Sequence, residues 1–231
     1  MNDIVYFLRE GKNEELRYSL RSVVKNFPHS RVIFYGGKPK GITPDVYVKV
    51  EQNEPTKWQK VRHMMLLACE NDDISDEFWL FNDDFFVMKK VETPPTAIYN
   101  GTLAGRIAQI EKATFGRPSE YSKLLRRLKE ELQAHGIEKP LNYATHTPML
   151  INRKKMAEVL RGGYKSPMFR ALYGNLCHIG GIDEPDVKYH GIRKPQNSDT
   201  IYVSTSDESW NRDEIGHRIR AYFQERSRFE E

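Results

Sequence analysis

Residues 77–88 read Glu-Phe-Trp-Leu-Phe-Asn-Asp-Asp-Phe-Phe-Val-Met, an apolar run broken by three polar residues and then resumed. Aromatic and β-branched residues in such a run fit a buried strand. The interruption is the constraint. Two adjacent carboxylates, Asp83 and Asp84, set in so aromatic a stretch lose hydration, and an unpaired buried acid either takes up a proton or destabilises the fold. A divalent cation bound by hard carboxylate oxygens at the C-terminal end of that strand removes the conflict. The plainer alternative is a solvent-exposed turn between two hairpin strands; the crowding of aromatics on both sides favours a functional pair.

The rest of the N-terminal half supplies a frame for that strand. Ile4 to Leu8 reads as a first buried parallel strand, and Asn13 caps a helix with Glu14 and Glu15 in its first turn and Leu16, Leu20, Val23 and Val24 along one side. Arg31 to Tyr35 is a second strand and Val46 to Val50 an edge-like third. A helix opens at Thr56 and leads through Met64, Met65, Leu67 and Ala68 into the Asn-Asp-Asp strand. This rhythm predicts a doubly wound α/β sheet, mostly parallel and flanked by helices, in which ligands bind beyond the carboxyl ends of the strands. Leu8, Arg9, Arg17, Lys57, Lys60, Asn82 and Asp83 lie at or near such ends and form the candidate ligand-binding set. For the arginines and lysines a solvated or ion-paired surface role is the competing reading.

Beyond residue 92, Thr102 to Ile110 is expected as a strand, Pro118 to His135 as a charged amphipathic helix, and 142–152 as a loop running into a strand, with His146 at the junction either as a hydrogen-bonded structural residue or facing the cleft as acid, base or ligand. Asp183, Glu184 and Asp186 follow a Gly-Gly pair, with His190 four residues after the last of them. Such a group can supply a general base, hold an acceptor hydroxyl or add an imidazole to a metal; an acidic surface loop is the alternative. The division expected is one domain over 1–231, with a ligand-binding half at 1–92, a second half at 93–200 and a helical tail at 201–231.

Composition narrows the class. Of 231 residues 29% are charged, and the 36 Lys and Arg exceed the 32 Asp and Glu, which suits a soluble protein whose basic face accepts a nucleotide, a polyanion or nucleic acid. Cys69 and Cys177 stand far apart with no Cys-x-x-Cys pairing, so neither a zinc site nor a disulfide framework is expected. With no signal-like leader and no bilayer-length apolar run, the expected location is the cytoplasm.

Three stretches, Glu15 to Val23 with Asn26-Phe27-Pro28, Phe81 to Phe86, and Thr145 to Pro148, together resemble nucleotide-diphospho-sugar transferases of the GT-A type. They are most similar to the Stealth family of capsule sugar-phosphate transferases and its short phage relatives. The resemblance implies a GT-A-like fold and a nucleotide-diphosphate sugar as donor. It places Asp84, with Asp83 and Asn82, where Mn²⁺ or Mg²⁺ is held on the donor diphosphate. The stretch 180–186 resembles the motif that binds or deprotonates the acceptor, and His190 the late metal-binding histidine. The catalytic set is then Asp183, Glu184, Asp186 and His146; the metal set is Asp84, Asp83 and His190. Three activities stay open: glycosyl transfer to an acceptor hydroxyl, which includes a modified base in DNA as well as a glycan; sugar-1-phosphate transfer with His146 acting at phosphorus; and non-catalytic nucleic-acid binding.

Overall fold

Parallel neighbours need a long return path, and the two N-terminal helices provide it. In the computed structural model, which describes residues 1–190 and 200–231, β1 (Asp3–Leu8) leads through α1 (Glu14–Asn26) to β2 (Val32–Gly36) and β3 (Val46–Lys49). The chain returns by α2 (Lys57–Glu70) to β4 (Glu77–Phe81). These four strands are parallel. After β5 (Phe85–Val87), β6 (Ile98–Tyr99), α3 (Leu103–Ala113) and α4 (Glu120–Ala134), the strand β7 (Met149–Asn152) joins β4 in antiparallel sense. The sheet order is β3-β2-β1-β4-β7. Strand order therefore reverses between β1 and β4, and the crevice beyond their carboxyl ends is the switch point where such sheets bind ligands.

Period-two alternation divides the core. Ile4, Tyr6 and Leu8 of β1 face Leu16, Leu20 and Val23 of α1 on one side of the sheet. Val5, with Ile33, Phe78 and Leu80, faces Met64, Met65 and Ala68 of α2 on the other, where α5 (Arg153–Arg161) and α6 (Phe169–Leu176) also pack. Each such buried side chain contributes about 2 kcal/mol of transfer free energy. Val24, expected inward, is exposed because it falls off the stripe.

A second, three-stranded sheet has the order β5-β10-β9, built from β9 (Lys188–Tyr189) and β10 (Tyr202–Thr205). The free edge of β5 is satisfied by side chains of α1 rather than by another strand. Ser19 Oγ receives the Tyr6 hydroxyl (3.0 Å) and donates to the Phe85 carbonyl (2.6 Å). Ser22 Oγ accepts from the Val87 amide (3.0 Å), and Asn26 Nδ2 donates to the Val87 carbonyl (2.7 Å). Behind this sheet lie α7 (Asp207–Arg212) and α8 (Glu214–Tyr222), with Trp210 stacked on Phe86 at 5.5 Å. The last residues clasp α1: Phe229 enters the core, and Glu230 accepts from Arg17 (2.9 Å) and Arg21 (2.7 Å).

Two expectations are corrected. Thr102 to Ile110 is not a strand but the start of α3, because the Thr102 hydroxyl accepts from the Gly105 amide and Leu103 and Ile107 recur at helical spacing on the buried side. Residues 201–231 are not helical throughout: they open with β10, and on α8 Tyr222 is 50% exposed beside Lys25. A short pair, β6 with β8 (Ile182–Asp183), completes the strands. Among the described residues no helix is long and apolar enough to cross a membrane.

Candidate functional site

The Asn82-Asp83-Asp84 segment is a turn, closed by the Phe85 amide on the Asn82 carbonyl (3.2 Å), but it does not join hairpin partners. It leaves the end of β4 in the large sheet and enters β5 in the small one. Asn82 is exposed and the two acids are half-buried. Asn13, which caps α1 through its side-chain oxygen (Leu16 amide, 3.0 Å), donates from Nδ2 to Asp83 Oδ2 at 2.5 Å. One residue thus fixes the loop after β1 to the loop after β4 across the switch point. Burial and the neighbouring Asp84 charge push the Asp83 pKa up against the counteracting pull of Asn13 and Arg9.

Asp84 is held from the small sheet. Its Oδ2 meets Lys188 Nζ at 2.8 Å and accepts from Ser204 Oγ at 3.0 Å, while Oδ1 is buried with no partner among the described residues. The strand register β5-β10-β9 sets Phe85 beside Ser204 and Ser204 beside Lys188, which brings a residue 104 positions away onto Asp84. Glu15 completes the acidic side. Its Oε1 accepts from Thr205 Oγ1 at 2.5 Å, and burial, augmented by Asp84, Asp83 and Asp207, raises its pKa to about 7.

Next to this cluster stands an imidazole with a built-in orienter. His146 Nδ1 lies 2.8 Å from Asp186 Oδ2, and the His146 amide donates to Asp186 Oδ1 at 3.0 Å. Burial alone would raise the Asp186 pKa, yet the His146 contacts hold it below the ordinary carboxylate value. An ionised carboxylate only accepts, so Nδ1 carries the proton of this contact, and the tautomer it selects in a neutral imidazole is the one whose lone pair is at Nε2. The His146 ring packs edge-on to Phe85 (6.5 Å between centroids), the first residue after Asp84, and to His190 (6.3 Å). Partial burial, then Lys188 and His146, lower the His190 pKa. Arg170 donates to the Thr147 carbonyl (2.6 Å), and burial lowers its pKa to about 10.

The sequence-derived set is therefore only partly assembled. Asp83, Asp84, His146, Asp186 and His190 gather at this end of the sheet. Asp183 and Glu184 do not: both are exposed, Asp183 at the end of β8 and Glu184 just after it, and Asp183 Oδ1 accepts from the Gly101 amide (2.8 Å). Leu8 is a core side chain whose carbonyl is already taken by Gln52 Nε2 and the Gly37 amide, each at 2.8 Å. Lys57 Nζ sits over the Trp58 ring at 4.9 Å, and among the described residues neither Lys57 nor Lys60 bonds to the acidic turn. Arg17 is paired with Glu230 but lines, with Lys12, Asn13, Lys38 and Lys40, a cleft of about 440 Å³ that backs onto the Asn13 side of the site. Arg9 is exposed and acts on Asp83 through charge. Glu15, Lys188 and Ser204 were not singled out by sequence reasoning, because each joins the site through strand register or helix position.

Among the described residues no three His, Cys, Asp or Glu side chains stand at metal-ligand spacing, so Asp83, Asp84 and His190 do not form a preassembled triad. Lys188 holds one Asp84 oxygen instead. The donor chemistry nevertheless fits a hard cation of the Mg²⁺ type, which takes one or two carboxylates and completes its shell with water and substrate phosphate. Asp83 and Asp84 provide adjacent carboxylates, and Asp84 Oδ1 has no hydrogen-bond partner among the described residues.

No family model matches the chain, and no curated protein matches it in sequence. Solved structures do match in fold. A galactosyltransferase, LgtC, in complex with donor and acceptor sugar analogs, aligns at TM-score 0.52 and 14% identity over 97% of this chain and 96% of its own. An active-site mutant of LgtC aligns at TM-score 0.51 and 14% identity over 95% and 94%. The chain thus has the mixed α/β, GT-A-like fold of these glycosyltransferase structures, as one domain.

Proposed function

We propose that the chain is a glycosyltransferase that moves a sugar from a nucleotide-diphosphate donor to an acceptor hydroxyl. The observation that carries this reading is the pair of acids at the switch point, one of them with a buried oxygen that has no hydrogen-bond partner among the described residues. The fold shared with LgtC over nearly the full chain supports it. In this reading Asp83 and Asp84 would hold Mn²⁺ or Mg²⁺, which would supply positive charge to offset that growing on the departing diphosphate. Asn13 fixes the Asp83 carboxylate. His146, oriented through Nδ1 by Asp186, takes the acceptor hydroxyl proton at Nε2, the role of a general base held by a carboxylate.

The His146–Asp186 pair also favours a second reading, sugar-1-phosphate transfer of the Stealth kind, in which the same imidazole serves the group attacking phosphorus. Mass spectrometry of the product separates the two, since only the second leaves a phosphodiester on the acceptor. Hydroxymethylated DNA and a glycan offered side by side distinguish the acceptor classes. Salt-sensitive DNA binding indifferent to Asp84→Ala, without transfer, would instead indicate a nucleic-acid-binding protein.

The direct test is a thermal-shift screen of nucleotide sugars with and without Mn²⁺. A ligand at 100 times its dissociation constant adds about 2.7 kcal/mol, which in a domain of this size raises Tm by roughly 5–10 °C. The rise is expected only with Mn²⁺ and is abolished by EDTA. No rise with any nucleotide sugar overturns the proposal.

A further inference from the structure

Lys188 is the cation already present at the acidic turn. Its ammonium lies 2.8 Å from Asp84 Oδ2, both side chains are largely shielded from solvent, at 17% and 14% exposed, and Ser204 Oγ fills a further position on the same oxygen at 3.0 Å. The arrangement satisfies one Asp84 oxygen and leaves the other, Oδ1, buried and without a partner among the described residues. Lys188 is carried on a two-residue strand at the edge of the small sheet, and its long aliphatic stem lets the ammonium move without any movement of backbone. A divalent ion entering at Oδ1 would lie on the same carboxylate as the ammonium, and two like charges sharing one shielded carboxylate repel strongly.

We infer that Lys188 is a displaceable counter-ion: it neutralises Asp84 while no metal is bound, is expelled from Asp84 by the incoming divalent ion, and then engages an oxygen of the donor diphosphate. The inference rests on the proposed nucleotide-sugar reading and adds to it a residue with two alternating partners. Lysine suits this exchange because a single ammonium can pair with either carboxylate or phosphate, while the planar fork of arginine would be locked to one geometry. Ser204 stays on Asp84 in both states and preserves the carboxylate's orientation.

The prediction separates two affinities that a purely structural lysine would not move in opposite directions. Mn²⁺ binding followed by electron paramagnetic resonance, without nucleotide or acceptor, is expected to be at least about tenfold tighter in Lys188→Met than in the parent. Binding of uridine diphosphate at saturating Mn²⁺, measured by calorimetry, is expected to be at least about tenfold weaker in the same variant. Lys188→Arg, which keeps the charge and guards against a folding defect, is expected to bind Mn²⁺ no more tightly than the parent. Equal or weaker Mn²⁺ binding by Lys188→Met, in a parent that binds uridine diphosphate in a Mn²⁺-dependent manner, overturns the counter-ion and leaves the transferase reading standing. A parent that binds neither Mn²⁺ nor any nucleoside diphosphate overturns both.

Discussion

Asp84 and Glu15 answer to the same crowding of negative charge, but by different routes. Asp84 is paired with the Lys188 ammonium and hydrogen-bonded by Ser204, whereas Glu15 accepts from the neutral Thr205 hydroxyl and yields by holding its proton up to about pH 7. Replacing Asp84 with Asn is expected to keep the Ser204 contact and to lower kcat by at least about 100-fold, the usual cost of losing one electrostatic partner of a transition state; a transfer assay with a circular-dichroism control checks it. For Glu15 the sign follows from a folded pKa raised above the ordinary carboxyl value of 4.5. The stabilising contribution of the retained proton is complete below 4.5 and is lost as pH rises through about 7. Glu15→Gln should therefore match the parent in Tm near pH 5 and exceed it at pH 8. Sequence reasoning found Asp83 and Asp84 because their conflict with an aromatic run is local. It read Glu15 only as a first-turn acid, since nothing near it in sequence announces Thr205 or the acids at 83 and 84.

At the scale of elements, α1 does three jobs with one set of faces. Leu16, Leu20 and Val23 cover the sheet, Ser19, Ser22 and Asn26 complete the edge of β5, and Arg17 and Arg21 receive Glu230. Burial alone would raise the Glu230 pKa, but Arg21, the Ser227 amide and Arg17 hold it down at about 2. Its contribution is therefore present above 4.5 and fades as pH falls toward 2. Glu230→Ala leaves the shielded guanidinium of Arg21 and the partly exposed one of Arg17 without their buried anion and is expected to cost about 3 kcal/mol, measured by urea unfolding at pH 7. The apolar stripe of α1 was legible from spacing alone. The polar stripe was not, because serines at helical spacing look solvated until a strand edge is known to run beside them. The segment 102–110, expected as a strand, is a helix for a related reason: the Thr102 cap and the Leu103 and Ile107 interval that decide for a helix are positional.

For the whole molecule, the βαβ rhythm of the first 90 residues was sufficient to foresee the parallel sheet and its switch point, because short connections admit few topologies. What it could not convey is that the chain, having left the large sheet at Phe81, builds a second sheet from β5 and two strands more than 100 residues later. Net charge was a weak guide for the same reason: Arg126 and Lys123, part of the basic run on α4, are partnered locally by Glu111 and Glu120 rather than pooled into one field.

Surface loops ordinarily tolerate a change of length, since an extra residue costs little in closure entropy. The three residues from Asn82 to Asp84 are denied that tolerance, as they are the covalent bridge between two sheets that are each fixed by their own partners. Adding one residue there would let out roughly 3.3 Å of slack, enough to pull Asp84 off Lys188 or Asp83 off Asn13. Chain length at this crossing is thus as much a chemical property of the site as the identity of its acids.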